Sequence, residues 1–582
     1  MSRVCVTGTR FHLCTAIVAA GFLMICARLY FLQVLEAETI AAEGFSVRKR
    51  LMPLEPKRGE ILDRSGTLLA GTRSRILLGA DPEVVDPEET GKLALLAGIL
   101  DVGFAELKET LRPRERGGRP VRWVPLAEIE ESVYASVEAV GLKGVYGNRR
   151  YERYYPGREM AAHLIGFINK EQTPVMGVER ALNYYLEGQR GWLETEVDGQ
   201  RRELAFYRER KVEARDGLHV QLSIDIFVQS TIEDALAELV EEMEPEGVSI
   251  IVSDPSSGEI LGLANHPTFD PNSFWDYPMG NQRNRAISDQ YEPGSTFKIV
   301  PVAAALEEGL VGVETLIDCS PDRVLHNGVN IPMPRDHRDL GTVPVRTVVT
   351  KSSNRGAAQL GMLLGEERLY AYADRFGFGK ECGWPLGGEA NGSLPVVAAW
   401  DGYTISRLPT GYAVGATPMQ VHLAMATLAN DGVRVKPRLL KAVLDRENEK
   451  VLDLEPDERE RIISTSTARL MKEMLTRVVG PEGTARRAAI PGYAVAGKTG
   501  TSRKILEGQY SAQHHVASFS GFFPASDPEV VITVVVDDAK IAGPAYGGLV
   551  AAPVFRTIGE KLIPHLGIRK PEEWEPFIVS ND

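Results

Sequence analysis

The 582-residue chain is short of cysteine: five in all, three of them (Cys5, Cys14, Cys26) in or beside one apolar stretch. Only Cys319 and Cys382 remain in the body, so a disulfide-framed fold is excluded whether or not those two pair. Neither a Cys-x-x-Cys spacing nor a His/Cys cluster occurs, which excludes a structural zinc site; of ten scattered histidines the one adjacent pair, His514-His515, reads as loop. The formal net charge is −13 and no basic block reverses it, so a general nucleic-acid binder is excluded too. Internal repeats and low-complexity segments are also missing. What remains is 43% hydrophobic and 25% charged, ordinary for a globular protein, at a length that implies two to four domains.

One long apolar run is present. Residues 11 to 35, FHLCTAIVAAGFLMICARLYFLQVL, carry only His12, Arg28 and Gln33 as strongly polar residues over 25 positions, enough to span a bilayer core of about 30 Å as a helix. Arg3 and Arg10 precede the run with no acidic residue, which puts the N-terminus in the cytoplasm, Arg28 near the outer interface and the rest of the chain outside. The competing reading is a cleaved signal peptide. The length of the run, with no clear A-x-A site after it, favours an uncleaved anchor.

From 36 to about 215 the chain is mixed and charged, and no nucleophile stands beside a base. KRGEILDRSGTLLAG (57 to 71) reads as two short strands about a type I turn at Asp63-Arg64-Ser65-Gly66. RYYPGREMAAHLIGF (153 to 167) joins a Pro-Gly turn to an amphipathic helix, and GVERALNYYLEGQRG (177 to 191) keeps helical spacing at Ala181, Leu182, Tyr185 and Leu186 until Gly188. A second globular unit begins near Asp216. There GLHVQLSIDIFVQ leads into the helix TIEDALAELVEEM, and GVSIIVSDPSSGEILGLAN (247 to 265) reads as a hairpin. A mainly helical region runs to about 480. Three strand-like runs, AVAGKTGTS, VASFSGFFPA and EVVITVVVDD, and a closing helix, APVFRTIGEKL, complete the chain. This order predicts an α+β fold with helices packed on an antiparallel sheet. The expected organisation is a tail (1–10), an anchor (11–35), a pedestal or partner-binding module (36–215) and a domain carrying the chemistry (216–582).

Within that last domain, Tyr291-Glu292-Pro293-Gly294-Ser295-Thr296-Phe297-Lys298 sets a hydroxyl and an amine three residues apart, behind a Pro-Gly turn and ahead of the helix-prone VAAALEEG. Positions i and i+3 share a helix face, so Ser295 Oγ and Lys298 Nζ can converge. A serine becomes a nucleophile when an adjacent base takes its proton, and a lysine serves only if its pKa is lowered. In isolation the pair reads as an N-cap serine and a solvated lysine. Two more polar motifs follow: Ser352-Ser353-Asn354 ahead of GAAQLGMLLG, and Lys498-Thr499-Gly500-Thr501 on the strand AVAGKTGTS. Singly, they too read as a helix cap and a strand-end charge. Pro301 would clash with the carbonyl of residue 297 in a regular helix. Either the helix kinks, or its first turn is irregular and regular winding starts later. Asp336-His337 lies near the site in sequence and is assigned no role.

S-x-x-K, S-D-N and K-T-G form the set used by penicillin-binding proteins and class A β-lactamases, and the three motifs here follow that order, the second reading Ser352-Ser353-Asn354. Over nearly its whole length the chain resembles a class B penicillin-binding protein, a bitopic peptidoglycan D,D-transpeptidase. Arg58-Gly59-x-Ile61-x-Asp63-Arg64-x-Gly66 resembles the first pedestal motif of that family, and Arg153-x-Tyr155-Pro156 and Gly177-Val178-Glu179 resemble later ones. Glu292-Pro293-Gly294, Asn rather than Asp at 354, and GGLVAAPVF (547 to 555) are more similar to the division-specific subgroup than to the elongation-specific one. No glycosyltransferase-like domain precedes the pedestal, which argues against a bifunctional class A enzyme.

The resemblance implies a penicillin-binding/β-lactamase-like domain with a five-stranded antiparallel sheet, and serine acyl transfer upon it. Ser295 would attack the carbonyl between two D-alanines of a stem peptide, with Lys298 as base, its pKa lowered by burial and by a second cation at Lys498. Ser352 would relay a proton to the leaving amine, and Asn354 would bind a substrate amide. Thr499 or Thr501 would hold the substrate carboxylate beside Lys498, and Gly500 would let the strand approach the acyl group. The backbone N–H groups of Ser295 and Thr501 would form the oxyanion hole. An amine from a neighbouring peptidoglycan strand would then complete a cross-link, and β-lactams would trap Ser295. No metal and no cofactor is implied. The implied partners are peptidoglycan stem peptides (lipid-linked precursor or nascent glycan), β-lactams, the bacterial inner membrane through one helix, and a polytopic glycan polymerase with other division proteins. A β-lactamase or β-lactam sensor shares the motifs, yet no glutamate is identifiable as a deacylating base, and pedestal and length favour the transpeptidase. A non-catalytic scaffold would not need Ser295, Lys298 and Lys498 intact.

Overall fold

The computed structural model describes residues 8–37, 49–116, 119–121, 123–197, 203–204, 210–454 and 459–570. They belong to two compact units: Met1–Lys57 with Glu187–Gly217, and Arg58–Leu186 with Leu218–Asp582.

In the first unit Gly8–Tyr30 is an α-helix that continues as a π-helical turn over Phe31–Leu35. The window Phe11–Leu35 has mean hydropathy 1.9 and is long and apolar enough to cross a membrane. A helix suits that solvent because it satisfies its backbone polar groups internally. Arg3, one of the two residues used to orient the run, lies outside the described residues. Further on, Lys49–Leu54 pairs antiparallel with Gly191–Val197, whose other edge takes Arg210–Val212.

The second unit opens on the expected strand pair. Ile61–Leu62 and Leu68–Ala80 flank the turn, where Asp63 Oδ1 accepts the N–H of Ser65 (2.8 Å) and of Thr67 (2.7 Å). The sheet they enter has seven strands and draws on distant chain: His219–Leu222 runs parallel to Ile61–Leu62 and antiparallel to Leu440–Leu444. The helix expected after Pro156-Gly157 is a single turn, Ala162–Ile165, ended by Gly166 at φ +75°. All four of its residues are buried, so no amphipathic face exists there.

The three motifs at 58, 153 and 179 meet in one place. Glu179, fully buried, accepts from Arg58 Nε (2.7 Å) and Arg153 Nε (2.6 Å) on its two carboxylate oxygens. Arg58 also reaches Asn183 Oδ1 (2.6 Å), and Arg153 reaches Gly59 O (2.7 Å) and Thr72 Oγ1 (3.1 Å). This network ties segments far apart in sequence, at the cost of desolvating three ions that remain mutually paired.

The rest of the unit carries the elements that build the site. Helix α1 (Ile226–Met243), N-capped by Asp225, leads to the hairpin β1 (Gly247–Ser253) and β2 (Ile260–His266). Then come α2 (Ile299–Glu307), α3 (Asn354–Leu364), α4 (Pro418–Ala429) and α5 (Thr465–Val479). The chain closes with β3 (Ala496–Leu506), β4 (Gln509–Phe523), β5 (Val530–Asp537) and α6 (Gly547–Leu566). The sheet order is β2-β1-β5-β4-β3, antiparallel throughout, so the five-stranded antiparallel sheet is present. α1 and α6 pack on the sheet and on each other, while α4 also packs on β4 and β5. Helices on the sheet explain why VVITVVVD is a near-continuous apolar run, buried over its first seven residues, rather than an alternating one. Among the described residues β3 lies at the edge of the sheet, with one side free of strand neighbours. Cys319 and Cys382 are both buried and unpaired.

Candidate active site

The first motif lies in a 3-10 turn, Gly294–Lys298, and regular α winding begins after it at Ile299. Of the two outcomes open for Pro301, the irregular first turn is the one observed. Pro301 falls in the first turn of α2, where a missing N–H costs no intrahelical bond. The turn is wedged against β3. A Cβ on Gly294, whose φ is +54°, would meet Thr501 O at 2.9 Å, and a Cβ on Gly500 would meet Ser518 Oγ at 2.3 Å and Pro293 O at 2.9 Å. Both glycines therefore permit the strand and the nucleophile turn to touch. The segments that carry the N–H groups of Ser295 and Thr501 are in direct contact there.

Lys298 is 3% exposed, and its ammonium donates to Ser352 O (2.6 Å), Ser352 Oγ (3.2 Å) and Asn354 Oδ1 (2.7 Å). Those three acceptors use its three protons, and no hydrogen bond joins it to Ser295 in this state. Lys498, 0% exposed, approaches Ser352 Oγ from the other side at 2.9 Å and donates to its neighbour's carbonyl, Thr499 O, at 3.2 Å. One hydroxyl thus bridges two buried amines. Ser352 itself has φ +58°, a left-handed backbone that costs a non-glycine residue on the order of 1–2 kcal/mol.

Burial disfavours the charged form of both amines. It brings the Lys298 pKa down to about 7, against the opposing pull of the Asp336 carboxylate. Lys498 is held well below the ordinary lysine range, by burial first and then by repulsion from Lys298. That repulsion is mutual, so the pair holds one proton far more readily than two.

The polar side chains of the remaining motif residues are engaged internally. Asn354, expected to bind a substrate amide, has its Oδ1 on Lys298 and its Nδ2 on Arg335 O at 2.7 Å, so both ends of its amide are occupied. Thr499 is buried and shares a hydrogen bond with Thr484 Oγ1 at 3.0 Å. Thr501 is half-buried; its hydroxyl donates to Gly500 O (2.8 Å) and accepts from Gly547 N (3.1 Å). Sequence reasoning missed Thr484, and it left Asp336 without a role although Asp336 binds the start of α3. A cavity of about 870 Å³ opens against the same strand, lined by Tyr291, Glu292 and Ser502–Ile505 among others, but by none of Ser295, Lys298, Ser352 and Lys498. No group of His, Cys, Asp and Glu able to hold a metal occurs among the described residues.

The arrangement supplies what acyl transfer by a serine needs: a hydroxyl at a turn, an amine poised to titrate near neutrality, a second hydroxyl able to pass protons and an edge strand to receive an extended ligand. A family model described as the penicillin binding protein transpeptidase domain matches residues 248–560, and one described as the penicillin-binding protein dimerisation domain matches 53–222. Stage V sporulation protein D of Bacillus subtilis is 32% identical over 94% of this chain and 84% of that protein. The peptidoglycan D,D-transpeptidase FtsI of Escherichia coli is 30% identical over 94% of this chain and 90% of its own length. A crystal structure of penicillin binding protein 3 from Mycobacterium tuberculosis, complexed with aztreonam, superposes with a TM-score of 0.68 at 26% identity, covering 90% of this chain and 98% of that one.

Proposed function

The chain belongs to the class B penicillin-binding proteins and is a peptidoglycan D,D-transpeptidase, and on that premise we propose that its acyl-enzyme forms on Ser295 and serves septal wall synthesis during cell division. The observation that carries the site assignment is Ser352 Oγ held between the buried amines of Lys298 and Lys498, next to the serine turn.

Neutral Lys298 takes the hydroxyl proton of Ser295 as Oγ attacks the carbonyl between the two D-alanines. The oxyanion rests on the N–H groups of Ser295 and Thr501; each such donor is worth roughly 3–4 kcal/mol. On collapse the C–N bond breaks, and the leaving amine receives a proton from the Lys298–Ser352–Lys498 group, releasing D-alanine. The incoming amine of a second strand then attacks the ester, gives its proton back to the same group and restores Ser295. Thr501 is the less buried of the two threonines and would meet the substrate carboxylate by turning its hydroxyl away from Gly500 O, while Thr499 is engaged with Thr484. Gly500 keeps the strand close to the serine turn, and Asn354 holds Lys298.

The septal role rests on Glu292-Pro293-Gly294, Asn354 and the 547–555 segment, all similar to the division subgroup. In this reading residues 36–215 are the pedestal and 216–582 the catalytic domain. The anchor has its N-terminus in the cytoplasm and its catalytic domain outside, and anchor and pedestal bind a polytopic glycan polymerase. Lipid-linked or nascent peptidoglycan is the substrate, and β-lactams acylate the same serine.

Labelling by a fluorescent penicillin, lost in Ser295→Ala, tests the site; an unlabelled wild type or a labelled variant would sink it. Turnover of a chromogenic β-lactam in place of a stoichiometric burst would make the protein a β-lactamase. For the biological role, removal of residues 1–35 should spare acylation yet abolish complementation of septation. Depletion that leaves septa intact but stops spore formation would favour a second reading, suggested by the name of the Bacillus relative.

A further inference from the structure

The loop between the strands Val329–Pro332 and Thr342–Pro344 holds a carboxylate that the chemistry above does not use. Asp336 Oδ1 accepts the backbone N–H of Asn354 and that of Arg355 (3.2 Å), and its Oδ2 accepts the Ser353 hydroxyl at 2.6 Å. Ser353 Oγ in turn accepts the N–H of Gly356 at 2.9 Å. One carboxylate and one hydroxyl therefore satisfy the three N–H groups that open α3. The preceding residue supplies the carbonyl that fixes Asn354 Nδ2. Immediately upstream, Ser352 is kept in its left-handed backbone, with Ser353 N bonded to Val348 O at 2.9 Å. Ser352 and Asn354 are the two residues that contact Lys298, and Ser353, between them, is the one Asp336 grips.

We propose that Asp336 is a positioning residue for the acyl-transfer reaction: by clamping Ser353–Arg355 it holds Ser352 Oγ between the two lysines and Asn354 Oδ1 against Lys298. The inference rests on Lys298 acting as base toward Ser295. Its geometry has an electrostatic companion, because the Asp336 charge favours the protonated form of Lys298. The charged groups facing Lys298 are Lys498 from β3 and Asp336 from this loop. Arg355, the next residue of α3, is turned away to Asp322 and to the carbonyls of Cys319 and Ser320.

The test is the pH dependence of the penicillin acylation rate in the full chain, for wild type, Asp336→Ala, Asp336→Asn and, as a control, Asp322→Asn. Asparagine keeps an acceptor for the backbone N–H groups but no charge. Asp336→Ala should acylate about 10²-fold more slowly, the usual scale for a misplaced catalytic group. Asp336→Asn should recover part of that rate and move the acid limb to lower pH, because Lys298 loses a neighbouring anion. Asp322→Asn should change neither. A wild-type rate in Asp336→Ala, or an unmoved limb in Asp336→Asn, overturns the proposal. If the alanine variant does not fold, the limb of the asparagine variant decides alone. A wild type that is not acylated at all would instead remove the underlying assignment of Ser295 and Lys298.

Discussion

The Arg58–Glu179–Arg153 cluster and the Lys298–Lys498 pair both bury two cations within the same compact unit, but only the first encloses a carboxylate. Around Glu179 every ion has an opposite partner within 2.7 Å, and the network also takes up backbone and side-chain oxygens. Around Ser352 two amines face one neutral hydroxyl, and the one carboxylate near them, Asp336, spends its hydrogen bonds on the start of α3. Opposite charges buried together hold a shape. Amines buried without an enclosed counter-charge are poorly tolerated as charges: burial brings Lys298 to a pKa of about 7, and burial with repulsion from Lys298 holds Lys498 well below the ordinary lysine range.

The contrast breaks most sharply if each cluster is disarmed in turn. Lys298→Met should cut penicillin acylation by about 10³-fold or more, as expected for loss of a general base and of the groups it orders. The same variant should melt at or above the wild-type temperature, since it removes an amine that is costly to bury. The pH dependence has a definite sign. The native lysine has its pKa lowered to about 7, so the unfolded chain binds that proton more readily, and wild-type stability rises from about pH 7 toward the ordinary lysine range. Melting curves of wild type and variant should therefore converge as pH is raised through that window. A marked loss of stability in Lys298→Met at all pH values would show that the amine is structural.

Glu179→Gln should behave in the opposite way. It leaves two buried guanidinium groups unpaired and should cost about 3–5 kcal/mol, measured by denaturant unfolding. Protein that remains folded should still acylate. An unchanged midpoint would mean that the cluster holds nothing together.

A smaller effect separates the two threonines. Thr501→Val should slow acylation by a β-lactam roughly tenfold, the scale of one hydrogen bond to a charged group. Thr484→Val should alter it only a few-fold, by freeing Thr499. Equal effects at 484 and 501 would shift the carboxylate contact to the Thr484–Thr499 pair.

Much of the fold was legible in sequence because the three motifs sit on elements with strong local signals, while the roles proposed for their residues came from the family resemblance. The hairpin around Pro255-Ser256-Ser257-Gly258, the three C-terminal strands and the helix after Ser353 all follow from turn chemistry and apolar runs, and they bring Ser295, Lys298, Ser352 and Lys498 together. Other features left no local trace. Ile61–Leu62 and Leu440–Leu444 join one sheet through His219–Leu222, a pairing that a two-residue strand cannot announce. Asp336 binds mostly backbone N–H groups, which no residue pattern marks, and both ends of the Asn354 amide find internal partners, one of them a carbonyl that is equally silent in sequence. The expected helix at 153–167 failed because Gly166, at φ +75°, packs against Met176 O and ends the winding early.

The claim that a buried, readily neutralised lysine activates Ser295 is tested most directly by the pH dependence of penicillin acylation in the wild-type protein. The rate should rise with pH along a single acid limb with its midpoint near 7, where Lys298 loses its proton. A rate that stays flat from pH 5 to 9, or that begins to rise only as ordinary lysines titrate, would contradict it.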